Sequence, residues 1–118
     1  MNPTVRRSPL AAAGALSAAA AVALSAYAAH GVDGEAQLRL QTAAIHAFGH
    51  GVALALLATT AVRRFGQVAL FALLLGMLLF CGSLAGNVLF GWTTAAAPLG
   101  GMLLIVGWLL LAVDFLRR

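Results

Sequence analysis

The sequence predicts an all-α integral membrane protein, an antiparallel four-transmembrane-helix bundle with both termini on the cytoplasmic side (N-in/C-in). Of the 118 residues, 63% are hydrophobic and 8% are charged, whereas about a quarter of the residues in a soluble domain are charged. The mean hydropathy is +1.00, and six of the seven arginines stand as pairs beside long apolar runs. We therefore expect a single membrane domain over residues 1–118, surrounded mainly by lipid.

The first apolar run is predicted to span the membrane over about residues 10–29. Its twenty uncharged residues are enough to cross a hydrocarbon core of about 30 Å at a rise of about 1.5 Å per residue. An alternative interpretation is a secretory signal peptide, because an arginine pair precedes the run and Ala26-Tyr27-Ala28 resembles a cleavage site. The run is longer than the apolar core of such signals, which favours a span.

The second span is predicted over about residues 42–62, after a polar connection. Asp33 is a suitable N-cap, so the helix is expected to begin near Gly34, before the chain enters the bilayer. The span ends at the pair Arg63-Arg64. Arginine pairs at the end of an apolar run are typical of the cytoplasmic interface.

The third and fourth spans are predicted over about residues 66–90 and 98–116. The 49 residues from Phe65 to Val113 carry no charge, which is too long for one crossing and sufficient for two. A break between Gly91 and Pro98 contains Trp92, and glycine and proline are typical of connections. Pro98 is acceptable in the first turn of a helix.

The arginines predict the orientation. Arg39 alone falls on the outer side, and Asp114 is expected to pair with the arginines at the C-terminus. The arginines expected on the cytoplasmic side are Arg6, Arg7, Arg63, Arg64, Arg117 and Arg118. This asymmetry follows the positive-inside rule and predicts a multi-pass protein of the bacterial inner membrane.

Small residues are expected at the helix–helix interfaces, because lipid tails are as apolar as leucine and association depends on close packing. The ring of Trp108 is expected to pack over the gap at Gly107. The predicted rows, from the first helix to the fourth, are Gly14, Ser17, Ala18, Ala21, Ser25 and Ala29; Ala43, Ala47, Gly51 and Ala55; Gly82 and Gly86; and Gly100, Gly101 and Gly107.

Polar residues within the spans form the candidate site. His46 and His50 stand one helical turn apart on the second helix. A neutral His50 bonded to Ser25, to Asn87 or to a backbone carbonyl is the favoured interpretation, and a working role is the alternative because ionisable groups inside membranes are often functional. The predicted outer-leaflet polar cluster is His30, His46, His50, Ser83 and Asn87.

The same residues argue against a metal or haem site. Zinc requires three or four ligands, and His30 lies near the surface while His50 lies deep in its span. We therefore expect no metal ligand and no cofactor. No nucleophile–base pair, acidic dyad, phosphate-binding loop or C-x-x-C motif occurs in the sequence, so no catalytic residue is predicted.

Three functions remain open. The favoured one is a non-catalytic membrane protein that acts through helix–helix association, as an accessory or assembly subunit or as a homo-oligomer. The alternatives are a small transporter or channel that uses the polar cluster, and a metal- or haem-binding membrane anchor. The expected partners are the lipid bilayer and a membrane protein or a second copy. Nucleic acid is excluded because the arginines are interpreted as topology signals.

Four short segments resemble the family called domain of unknown function 423 (DUF423), small four-span membrane proteins that include vertebrate transmembrane protein 256. The segments are Ala29-His30-Gly31, residues 42–54, Leu79-Phe80-Cys81-Gly82-Ser83-Leu84, and Pro98-Leu99-Gly100-Gly101 with Gly107-Trp108. His46 stands where the family usually has tyrosine, and Cys81 where it has serine. The resemblance implies a four-span fold and no known activity.

Overall fold

A computed structural model describes residues 7–60 and 63–117, and the regular structure within these residues is helical. The four helices are α1 (Pro9–His30), α2 (Gly34–Leu57), α3 (Arg64–Phe90) and α4 (Ala97–Leu116). Each is long and apolar enough to cross a membrane. The predicted all-α fold of four membrane helices is therefore confirmed.

The ends of α1 and α2 follow from local backbone chemistry. Ser8 caps α1, because its Oγ accepts the N–H of Ala11 at 3.1 Å, and Pro9 occupies the first turn. Gly34 has a φ of 61° at the start of α2, a conformation that glycine adopts without strain. The predicted start near Gly34 is confirmed. Asp33 is the N-cap residue, although its side chain makes no capping hydrogen bond.

The connection between α3 and α4 depends on Gly91. This residue has a φ of 73° and ends α3, while its N–H bonds to the Asn87 carbonyl at 3.1 Å. The N–H of Trp92 bonds to the Gly86 carbonyl at 3.2 Å. Pro98 lies in the first turn of α4, as predicted.

Extensive helix–helix contacts run in chain order: α1 packs on α2, α2 on α3 and α3 on α4. Large apolar side chains such as Ile45, Phe71 and Leu116 face outward and are 70%, 58% and 87% exposed. In water such a surface would promote aggregation, whereas in a bilayer it contacts lipid. The largest fully buried apolar side chains are Leu40, Leu54, Leu70, Leu73, Met77 and Leu111.

Helices α1 and α2 meet at a glycine pair. A Cβ atom added to Gly14 would lie 2.5 Å from the Gly51 carbonyl oxygen, and one added to Gly51 would lie 2.6 Å from that of Gly14. The backbones are therefore in direct contact. On α2 the predicted Ala43, Ala47 and Gly51 are buried.

The predicted row on α1 is only partly correct. Gly14, Ala21 and Ala28 are buried, seven residues apart, whereas the predicted Ser25 and Ala29 are exposed. A seven-residue spacing is the seam that a slightly supercoiled helix presents to a neighbour. Because nearly every residue of α1 is small, composition did not distinguish this seam from the adjacent rows.

Helices α3 and α4 meet at Gly76 and Gly100. A Cβ at Gly76 would lie 2.9 Å from the Gly100 carbonyl oxygen, and one at Gly100 would lie 2.8 Å from that of Gly76. The prediction that Gly82 marks a helix–helix interface is wrong, because no atom lies within 4 Å of a Cβ built there. Gly82 has a glycine four residues away, but its side of α3 has no helix against it.

Candidate functional site

His46 and His50 lie one turn apart on α2, and each bonds to the backbone carbonyl four residues before it. Nδ1 of His46 lies 2.8 Å from the Thr42 carbonyl oxygen, and Nδ1 of His50 lies 2.7 Å from the His46 carbonyl oxygen. A carbonyl can only accept, so each Nδ1 carries the proton and donates it. The two rings are nearly parallel, at 10°, with centroids 6.2 Å apart.

Aromatic rings from α3 and α4 contact these two imidazoles. The Phe80 ring packs on His46 with centroids 4.9 Å apart, and the Trp108 ring lies 5.7 Å from that of His50. Nε1–H of Trp108 donates to Nε2 of His50 at 2.9 Å. Because an indole can only donate, Nε2 must be unprotonated. His50 is thus a neutral imidazole whose two nitrogens are both hydrogen-bonded.

Trp108 was missed as a partner of His50 from the sequence. Its ring was expected over Gly107, but the atoms nearest to a Cβ at Gly107 belong to Leu73, at 2.8 Å and beyond. The available signal was the indole N–H itself, because a polar group in a span needs a partner within the protein. His50 is bonded to a backbone carbonyl, one of the three partners foreseen.

Ser83 and Asn87 donate hydrogen bonds to the connection between α3 and α4. The Ser83 hydroxyl donates to the Thr93 carbonyl at 3.3 Å, and Nδ2 of Asn87 donates to the Trp92 carbonyl at 2.7 Å. Oδ1 of Asn87 accepts from Nη1 of Arg39 at 3.0 Å. Asn87 therefore joins α2, α3 and the connection before α4. The sequence analysis did not include Arg39 in the predicted cluster.

The structure divides the five residues of the predicted cluster into three places. His46 and His50 lie together between α2 and the aromatic rings, while Ser83 and Asn87 lie at the end of α3. His30 is the exposed last residue of α1. Among the described residues, the ring contacts and hydrogen bonds of His46 and His50 include no atom of His30.

Replacing Asn87 by alanine is expected to lower the free energy of unfolding by about 1–2 kcal/mol, because the Trp92 carbonyl and Arg39 each lose a partner. The matched control is Glu35→Gln. Its carboxylate lies 3.7 Å from Nη2 of Arg39 and is 88% exposed, so its loss should cost about 0.5 kcal/mol or less. Titration with a denaturing detergent, followed by circular dichroism, measures both. Equal losses would contradict the role given to Asn87.

Arginines also join the start of α3 to the end of α4, on the side of the protein away from Ser83 and Asn87. Nη1 of Arg63 donates to the Arg117 carbonyl at 2.8 Å, and the Arg117 guanidinium lies 5.6 Å from the centroid of the Phe65 ring. Arg7 precedes α1 and Arg64 begins α3, so antiparallel packing brings them to this same end. The two remaining topology arginines, Arg6 and Arg118, lie outside the described residues.

Asp114 lies deeper in the protein than the sequence predicted. It is 1% exposed, and its Oδ2 would lie 2.8 Å from a Cβ added to Gly66, in the first turn of α3. The carboxylate thus packs against the start of α3, where the helix dipole favours a negative charge. The sequence predicted a place at the membrane surface for Asp114, and its pairing with the C-terminal arginines stays a prediction.

An apolar groove of about 750 Å³ opens between α1 and α2. Its size is within the usual range for ligand sites, but its lining includes none of the five residues of the predicted cluster. One hydroxyl group, that of Ser25, interrupts the apolar wall. The groove is lined by Ala21, Val22, Ser25, Ala26, Ala29, Ala44, Ile45, Phe48 and Gly49.

The described residues include no group of three or more His, Cys, Asp or Glu side chains that could hold a metal ion. The His46–His50 pair supplies two imidazoles, fewer than the three or four protein ligands of a zinc site. In each histidine a backbone carbonyl fixes the tautomer, and His50 also accepts one hydrogen bond from another helix.

The amino-acid sequence of this chain is similar to one family profile and to a membrane protein of known sequence. A sequence profile described as "Protein of unknown function (DUF423)" matches residues 24–101. A "UPF0382 membrane protein" of Haemophilus influenzae is 36% identical over 110 aligned positions, covering 83% of this chain and 86% of the relative. No solved structure gives a significant match. The profile covers all five residues of the predicted cluster, and neither description names an activity.

Proposed function

This chain belongs to the DUF423 family of proteins of unknown function, and we propose that it is a non-catalytic protein of the bacterial inner membrane that acts through helix–helix association. It would serve as an accessory or assembly subunit, or as a homo-oligomer. It is a small multi-pass membrane protein with four candidate spans, like its relative.

The uncovered surface of α1 carries this proposal. In an apolar stretch of 18 residues within α1, 11% of the residues are buried, against 33%, 39% and 28% in the corresponding stretches of α2, α3 and α4. Helix α1 makes its extensive contacts with α2 alone, along the seam of Gly14, Ala21 and Ala28. Most of a helix built from small residues therefore faces the bilayer.

Small residues are what a membrane helix needs on a face that receives another helix, because they let the two backbones approach closely. The groove between α1 and α2 provides such a face, with alanines on both walls and Phe48 beside them. The connections that link the helices, residues 31–33, 58–63 and 91–96, are short. These connections leave few residues between the helices to recognise a partner.

Native mass spectrometry of the protein extracted in a mild detergent tests the proposal. We expect a defined oligomer or a complex with another membrane protein. Ala26→Leu should weaken it, whereas Ala20→Leu should not, because both alanines are exposed on α1 and only Ala26 lines the groove. A monomer at every concentration, without a partner from native membranes, would refute association.

The orientation is a separate proposal, with both termini and the α2–α3 connection in the cytoplasm, supported by the arginines at that end. In a Cys81→Ser background, a membrane-impermeant maleimide applied to intact cells should label Glu35→Cys and leave Thr60→Cys unlabelled. Both positions are exposed in the structure. The reverse labelling pattern would show the opposite orientation.

A further inference from the structure

We propose that His50 is a proton-binding site within the membrane, and that a proton bound at its Nε2 breaks the hydrogen bond that ties α4 to α2. The inference goes beyond helix association and is independent of it. It rests on the geometry of the bond from Trp108 to His50, which links two helices that are not consecutive in the chain.

The bond exists only while Nε2 keeps its lone pair. When Nε2 takes a proton from water, the imidazole becomes an imidazolium with N–H groups at both ring nitrogens. The Trp108 indole keeps its own proton and loses its acceptor. Two N–H donors would then face each other where the nitrogens now lie 2.9 Å apart, so one of the rings must move.

Trp108 is the ring that moves. Rotating the imidazolium away would also break the bond from Nδ1 to the His46 carbonyl, whose length is 2.7 Å. That bond persists in the charged state, because Nδ1 donates in both states. Displacement of the indole gives up its ring contact with His50 but leaves the Nδ1 bond in place, and it removes a side-chain tie between α2 and α4.

The described side chains that surround His50 are aromatic, small or apolar, apart from His46 and the thiol of Cys81. On α2 its neighbour is His46, whose ring centroid lies 6.2 Å away. Helix α3 contributes Phe80, which packs on the neighbouring His46, with the buried thiol of Cys81 next in the chain. Helix α4 contributes Trp108, whose ring contacts His50. Helix α1 contributes an uncharged face with Ser17 near Gly51.

Among the described residues, the nearest charged side chain along α2 is that of Arg39, eleven positions and roughly 16 Å away by helical rise. On α4 the buried carboxylate of Asp114 lies six positions beyond Trp108, roughly 9 Å by helical rise, and packs against the start of α3. Histidine is the side chain whose charge normally changes between about pH 5 and pH 8, so mild acidification is the trigger to test.

Nuclear magnetic resonance of the protein labelled with ¹⁵N at the two indoles provides the test, with Trp92→Phe assigning the Trp108 signal. On lowering the pH from 8 to 5, we expect the Trp108 Nε1–H resonance to move upfield, toward that of a free indole. His50→Gln supplies an acceptor that does not titrate and should abolish the movement. His46→Gln is the matched control, and the movement should persist in it.

Three outcomes would overturn the proposal: a Trp108 resonance that stays constant from pH 8 to 5, a movement that survives in His50→Gln, or one that disappears in His46→Gln. His50→Ala at neutral pH checks the bond itself. Its Trp108 resonance should already lie near the free-indole position, and a native-like position would refute the bond. Far-UV circular dichroism establishes that each variant is folded, and His50→Gln carries the test if His50→Ala is not.

Discussion

Gly100→Ala is expected to cost about 1–3 kcal/mol of unfolding free energy, the usual range for overpacking, and to lie near its upper end. The added Cβ would collide with the backbone nitrogen of Phe80 and would lie 2.8 Å from the Gly76 carbonyl oxygen. Every one of these neighbours is a backbone atom, so relief requires α3 and α4 to move apart. Detergent-induced unfolding followed by circular dichroism gives the loss.

Gly101→Ala is the matched control, one position along α4. A Cβ there would lie 3.8 Å from the nearest atom of the Phe80 ring, an ordinary contact. Alanine is a better helix former than glycine by up to about 1 kcal/mol, so this variant should be neutral or slightly more stable than the native protein. Two variants of equal stability would contradict the close contact between α3 and α4.

Gly51→Ala is expected to detach α1 while leaving the other three helices packed. Its Cβ would lie 2.6 Å from the Gly14 carbonyl oxygen and 2.9 Å from the backbone nitrogen of Ala18. Because α1 makes its extensive contacts with α2 alone, their loss leaves the packing of α2, α3 and α4 intact. The stability lost should again be about 1–3 kcal/mol.

Spin labels on exposed positions of α1 and α2 report this detachment directly. In a Cys81→Ser background, labels at Ala12 and Leu56 should show a narrow distance distribution that becomes longer and broader with Gly51→Ala. Gly49→Ala is the control on the same helix, because no atom lies within 4 Å of a Cβ built there. An unchanged distribution in Gly51→Ala would show that the glycine pair does not hold α1.

The candidate site was only partly accessible from the sequence. His46 and His50 were identifiable because imidazoles are rare in an apolar span, and their spacing put them on one face of α2. Their partner Trp108 was not, because nothing in the sequence sets the rotation of α4 relative to α2. Asn87 was recognised as polar, but its bond with Arg39 depends on where the end of α3 meets the start of α2.

The glycines show the same division. Gly76 and Gly82 are both glycines of α3, yet Gly76 contacts α4 and Gly82 has no atom within 4 Å of a Cβ built there. On α1, Ala28 is buried and Ala29 is exposed, although both residues are alanine in an alanine-rich helix. Composition marks such residues as able to lie in an interface, and the position of the neighbouring helix determines which of them does.

Sequence alone determined the lipid environment, the number of helices, and the approximate positions of helix starts such as those near Gly34 and Pro98. These properties are local, because transfer into lipid depends on the side chains within one run, and capping on a few consecutive residues. The tertiary structure decided which faces meet, and with them the Gly14–Gly51 and Gly76–Gly100 contacts and the bond from Trp108 to His50. In lipid, polarity does not distinguish an apolar face that packs on a helix from one that packs on an acyl chain, so rotation and register emerge only when the helices are assembled.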